Sequence, residues 1–550
     1  MMERFQTQKK IIFFTTLNKV MDKIIIVALS VFLFLAVIMC TLTFVVFAKN
    51  YSVRETDVQR AKMLAEIKVD DENVGNLGQH LRAELPKSFL WGVSTAAHQN
   101  EGGDNGSTWA LWTSQGKTNE RAELGTHSWE NFEQGDAKRA KWLGCNSFRL
   151  SVDWARLEPN RPGEWCQKAA NNYKFMLSAL KKNGITPVIT LVHFALPMWC
   201  VPWLGWQNEK MVAHFEEFAG RCVREFGEFC NHWITINEPV IDAINTCLRG
   251  ERWPGLKDPE ATKKSIRSQW LAHTAAYRVI HKHQEDALVS IAKNMCVMRP
   301  KNKWSLVDMA ATKKVDEFYN HAFVSACKTG RLVLDVPFLV KHDETLEDTS
   351  STLDFIGVNH YNVATVGLVL HEPWLDINLE SDGGENNAKN HVPQMEWDMH
   401  GWSLFDVLQD TWQKHNLPIM VTENGSPDPG KGTTDTLRKS LIFQHLHCLG
   451  SAAHNGVKLL GWFCWTLQDN FEWGEGRDAR FGLFETNHAK LRHAVAHGSG
   501  KINCAFKPRE SAHMVKSIIN PPAHDLFRAK QRGEVVDENE SRELLCGETL

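Results

Sequence analysis

Two glutamates stand where short apolar runs end: Glu238 in HWITINEP (232–239) and Glu423 in PIMVTENG (418–425). A carboxylate is a nucleophile when ionised and a general acid when protonated, so a facing pair can divide the two tasks. Roughly 5–5.5 Å apart across a glycosidic bond, one would attack the anomeric carbon while the other protonates the departing oxygen, retaining configuration. Chain spacing gives the placement of these groups and not their distance. Taken singly, each is an ordinary polar residue at a strand end. The pair gains weight because nearly every neighbouring apolar run also ends in polar or aromatic residues.

Eight such runs occur between residues 86 and 516, at 88–95, 146–154, 186–194, 232–239, 289–295, 353–361, 418–425 and 459–467, with helical stretches between them. Short β-rich runs alternating with helices read as a parallel α/β fold, and eight units are the count of a closed (β/α)8 barrel. The C-terminal rim of such a barrel is where its loops and strand ends form a site. We therefore expect an α/β chain with a single (β/α)8 TIM barrel over 86–516, preceded by one N-terminal transmembrane helix. Residues 24–48 carry no charged side chain. At about 1.5 Å per residue they exceed the roughly 30 Å hydrocarbon core of a bilayer. Val46 and Ala48 also fit the cleavage positions of a signal peptide, but the apolar core is about twice the usual length, which favours an uncleaved anchor. Lys9, Lys10, Lys19 and Lys23 in the short basic segment 1–23 favour a cytoplasmic N-terminus and a single-pass membrane location. Residues 49–85 read as a stalk and 517–550 as a charged tail.

Composition narrows the chemistry further. The 550 residues hold 62 basic and 65 acidic side chains, a net charge of −3, so nucleic acid is not an expected partner. There are 21 Trp but only 5 Tyr, and Trp-lined clefts stack well on the apolar faces of sugar rings. The 13 cysteines form no CxxC pair and no Cys/His spacing, so no metal site is expected; they read as buried thiols as readily as disulfides.

Seven segments appear in order: FLWGVSTAAHQNEG, FRLSVDWARLEP, HFALP, TINEP, DFIGVNHY, VTENG and WTLQDNFEW…RFGL. Together they resemble glycoside hydrolase family 1, the β-glucosidase-like enzymes, over about 430 residues. The resemblance implies that Glu423 is the nucleophile, with Arg149 lowering its pKa and the Tyr361 hydroxyl bonded to it. It implies that Glu238 is the acid and then the base, that Asn237 holds the sugar 2-hydroxyl, and that Asn359 supports the pair. Gln99, His193, Glu472 and Trp473 match the family's sugar-hydroxyl contacts, and Trp465 its stacking floor. His98 and His360 replace the family's usual tyrosines, and Cys464 and Gln468 also depart from common choices. None of these changes removes a catalytic group.

The same resemblance implies no cofactor. It also implies an unphosphorylated O-glycoside, because DNFEWGEG stands where phosphate-binding members carry a Ser/Lys/Tyr clamp and because the acid is present. TINEPVIDAINTCLRGERWPG, HFALPMW and VMRP (297–300) are similar to the membrane-anchored galactolipid galactosyltransferase of plant chloroplast envelopes. Transfer between glycolipids, with a membrane partner held through 24–48, is thus the alternative to hydrolysis of a small-molecule glycoside. A klotho-like binding module is the non-enzymatic alternative, opposed by the presence of both carboxylates.

Overall fold

The computed structural model describes residues 67–103, 106–118, 125–337, 339–368, 400–430, 432–497 and 502–520. Isolated positions between Met21 and Phe34 and strand residues at 375–378, 391–392 and 397–398 are also described. The chain divides into two units, Met1–Met63 and Leu64–Leu550.

The second unit contains the barrel. Its strands are β1 (Leu90–Ser94), β2 (Ser147–Ser151), β3 (Thr186–Val192), β4 (His232–Asn237), β5 (Leu288–Asn294), β6 (Ile356–His360), β7 (Ile419–Asn424) and β8 (Leu459–Trp465). They close in the order β1-β8-β7-β6-β5-β4-β3-β2, every pair parallel. Seven fall within the runs read from the sequence, and β5 begins one residue before its run. Strands such as TPVITLV and IMVTEN are buried along nearly their whole length, which is why they read as continuous apolar runs without alternation. Val188, Ile234, Ala292, Phe355, Met420 and Phe463 fill the interior below the rim, with Leu90, Leu288 and Leu460 packed against them.

Additions decorate this frame. A five-stranded sheet begins just past β5 and β6, where Val297–Pro300 pairs in parallel with Val363–Leu368. Helix Asp71–Glu84, within the stretch read as a stalk, packs on helices Thr436–His454 and Glu510–Ile519. The return from β8 is locked by ions: Arg509 grips both oxygens of buried Asp469, at 2.8 and 2.7 Å.

The expected transmembrane helix requires correction, and with it the single-pass location, the cytoplasmic N-terminus and the membrane partner. Among the described residues no helix is long and apolar enough to cross a membrane. An uncharged run licenses a span only where it forms one continuous helix of about 20 residues. Most of residues 24–48 lies outside the described residues, and the helical positions described there run to no more than three in a row.

Phe463 is wholly buried in the barrel interior. Truncating it leaves a cavity that rigid strands cannot collapse, so Phe463→Ala should cost about 3–5 kcal/mol, read as a lower denaturant midpoint.

Candidate active site

The rim is organised around Arg149 on β2, which is 1% exposed. Its guanidinium donates to Glu423 Oε1, to Asn237 Oδ1 at 2.7 Å, to Thr190 Oγ1 at 3.0 Å and to the Thr422 carbonyl at 3.3 Å. The Tyr361 hydroxyl donates to the other oxygen of Glu423 at 2.6 Å. Glu423 is thus fixed from both sides. Burial raises its pKa to about 7; Arg149 and Tyr361 pull downward and Glu238 pushes upward. The expectation that Arg149 depresses this group is right in sign, but desolvation outweighs it.

Glu238 follows β4 in the left-handed region, φ +49°, immediately before Pro239 opens helix Pro239–Ala243. Its Oε1 accepts from Asn359 Nδ2 at 2.8 Å and from Asn294 Nδ2 at 3.1 Å. Asn359 Nδ2 also donates to Asn237 Oδ1 at 3.1 Å, while its Oδ1 accepts from Thr422 at 2.7 Å. One amide therefore links the surroundings of both carboxylates. The pairing of β4 with β5 slips between Ile234 and Asn237, and that of β7 with β6 between Val421 and Glu423. Such bulges re-aim side chains, so that successive residues (Asn237 and Glu238, Thr422 and Glu423) both take part.

The remaining candidates form one wall. Gln99 Nε2 donates to Glu472 Oε2 at 3.1 Å, and Trp465 Nε1 lies 3.4 Å from the same oxygen. Burial, with Glu475 nearby, holds Glu472 well above the usual carboxylate range. His193 lies nearly parallel to Trp465 and Trp473, at ring separations of 5.7 and 5.9 Å. Burial, reinforced by Arg149 and Arg252, keeps it neutral. Its Nε2 meets the Asn237 amide at 3.1 Å, which leaves the proton on Nδ1. Among the described residues, His193 Nδ1 and Gln99 Oε1 are buried polar atoms with no hydrogen-bond partner. Buried polar groups are rarely left so, and a donor and an acceptor on one wall suit a polyhydroxyl ligand.

The departures are accommodated. His98 stacks on Trp473, 5.8 Å away and 9° from parallel. His360 is bonded to Met295 O and Ser403 Oγ, both at 2.8 Å, and burial lowers it to about 4, so it is an uncharged spacer. Gln468 Nε2 donates to Asp136 at 2.6 Å. Cys464 is a buried thiol pushed up to about 12.

Four residues at the site were not anticipated: Asn294, Lys293, Tyr319 and Arg252. Asn294 ends β5 and was reachable by the same strand-end reasoning that singled out Glu238. Arg252 lies over Phe194 at 4.4 Å and near Trp109 and Trp473, a contact that its sequence surroundings do not announce. Away from the site, Asp316, His321 and Asp410 have metal-ligand spacing. Lys414 already stands 3.2 Å from both aspartates, supplying their countercharge.

Residues 81–521 match the family described as "Glycosyl hydrolase family 1". Among curated relatives, the 6-phospho-beta-glucosidase GmuD of Bacillus subtilis (strain 168) is 27% identical, over 76% of this chain and 96% of its own. The Beta-glucosidase-like SFR2, chloroplastic, of Oryza sativa subsp. japonica is 28% identical, over 82% of this chain and 64% of its own. Among solved structures, a beta-glycosidase from Pyrococcus horikoshii superposes with a TM-score of 0.70 at 26% identity, covering 82% of this chain and 98% of that one. Since the match takes in all eight strands and both carboxylates, the chain belongs to glycosyl hydrolase family 1 and is a retaining β-glycosidase of small glycosides.

Proposed function

We propose that the chain hydrolyses O-linked, unphosphorylated β-D-glucosides and β-D-galactosides, with Glu423 as nucleophile and Glu238 as general acid and then base. In the first step a Glu423 oxygen bonds to the anomeric carbon as the bond to the aglycone breaks. Glu238 gives its proton to the departing oxygen. In the second step Glu238 takes a proton from water, whose oxygen displaces Glu423 and restores the β-configuration.

The observation that carries this assignment is the asymmetry between the carboxylates. Glu423 is gripped by a guanidinium and a phenol hydroxyl, partners suited to a negative charge. Glu238 is held by neutral amides, which tolerate a group that alternates between acid and base. In this reading Asn237 bonds the sugar 2-hydroxyl, Gln99, His193, Glu472 and Trp473 take the other hydroxyls, and Trp465 lies beneath the ring. Residues 469–476 contain Asp469, Glu472 and Glu475 but no lysine or arginine, which supports an unphosphorylated sugar.

Glu423→Ala should lower turnover of nitrophenyl β-glycosides by on the order of 10⁴-fold or more. Azide should then restore turnover as the α-glycosyl azide, and recovery of the β-azide would reverse the assignment. Glu238→Ala should lose about 10²–10⁴-fold on glycosides with poor leaving groups but little on dinitrophenyl glycosides. Equal losses on both would remove it from the acid role. Because Glu423 must be ionised to attack and titrates at about 7, kcat/KM should fall about tenfold per unit as pH drops below that value. A flat profile from pH 7 to 5 would contradict this.

A further inference from the structure

Lys293 on β5 is 0% exposed. Its Nζ donates to the Asn294 carbonyl at 2.6 Å and lies 4.7 Å from the Tyr319 ring centroid. Among the described residues it forms no ion pair with a carboxylate. A buried ammonium in that condition is expensive, and one backbone carbonyl with one aromatic face is thin compensation. The contacts around it lead to the site. Tyr319, on the π-helical turn Glu317–His321, donates to Asn294 Oδ1 at 2.7 Å, and Asn294 Nδ2 donates to Glu238 Oε1 at 3.1 Å.

Resting on the assignment of Glu238 as acid and base, we propose that Lys293 is a positioning residue that acts on Glu238 through Asn294 and Tyr319, its cation favouring the ionised carboxylate that serves as base. Burial lowers Lys293 to about 8, with Glu238 and Cys296 pulling the other way. It is therefore cationic below about pH 8 and loses that charge as pH rises through it. The other groups acting on this pair are identifiable. Glu423, Asp242 and Tyr361 face Glu238. Cys296, pushed up to about 12, and Tyr319, raised well above its usual range, are neutral beside Lys293. Asp316 bears on Cys296, and Arg249 on Tyr319.

The sign follows directly. A nearby cation favours the charged form of a carboxylate, so a neutral side chain at 293 favours the protonated acid. With a nitrophenyl β-glycoside, Lys293→Met should move the alkaline limb of kcat/KM upward by about one pH unit, whereas Lys293→Arg should leave it in place. Lys293→Gln, which keeps a polar end, should behave like the methionine variant and replaces it if that protein does not fold. An unmoved limb in the folded neutral variant overturns the proposal, as does an equal shift in Lys293→Arg. Glu238→Gln separates the two ideas. If the alkaline limb survives that change, the assignment of Glu238 is wrong; if it vanishes while Lys293→Met leaves it unmoved, only the role of Lys293 is wrong.

Discussion

Arg149 places a full positive charge in the barrel interior with almost no access to water, and the rest of the rim follows from satisfying it. Such a charge is tolerable only if its donors are met, and they are met by Glu423, Asn237, Thr190 and the Thr422 carbonyl. Three strands, β3, β4 and β7, are tied to one side chain of β2. The same set of bonds orients Glu423 and presents Asn237 to His193. A neutral residue at 149 would leave both a buried carboxylate and an amide without their principal donor, so structure and chemistry there cannot be altered separately.

The frame was readable because it rests on periodicity and length. Eight apolar runs separated by helices admit few arrangements, and all eight became barrel strands. Of the site, the carboxylates and their immediate partners were legible from motif order. The bulges that let neighbours such as Asn237 and Glu238 share one cavity were not, because a slip in register leaves no mark in residue types. Lys293 was equally hidden. In AKNM it looks like any surface lysine, and only the folded packing around β5 removes it from water.

One expectation failed and another was incomplete, for related reasons. An uncharged stretch is a necessary condition for a membrane span and not a sufficient one, and no described helix meets the requirement. The pKa of Glu423 was argued from its partner alone. Partner charge is visible in a motif, whereas desolvation depends on everything packed around the group, and here it is the larger effect. His360, which stands where the family usually has tyrosine, makes two hydrogen bonds and is held neutral by burial.

The buried thiols have a practical consequence. Cys145, Cys222, Cys327 and Cys464 lie on different elements of the barrel, and burial holds each far above the range in which a thiol becomes a reactive thiolate. While the barrel is closed, an alkylating reagent has little access to these four thiols. Each thiol becomes available only when its own surroundings open, so the order in which they are labelled records the order in which the strands and helices come apart. The chain thus carries its own set of reporters for local unfolding, distributed around the ring without any engineered probe.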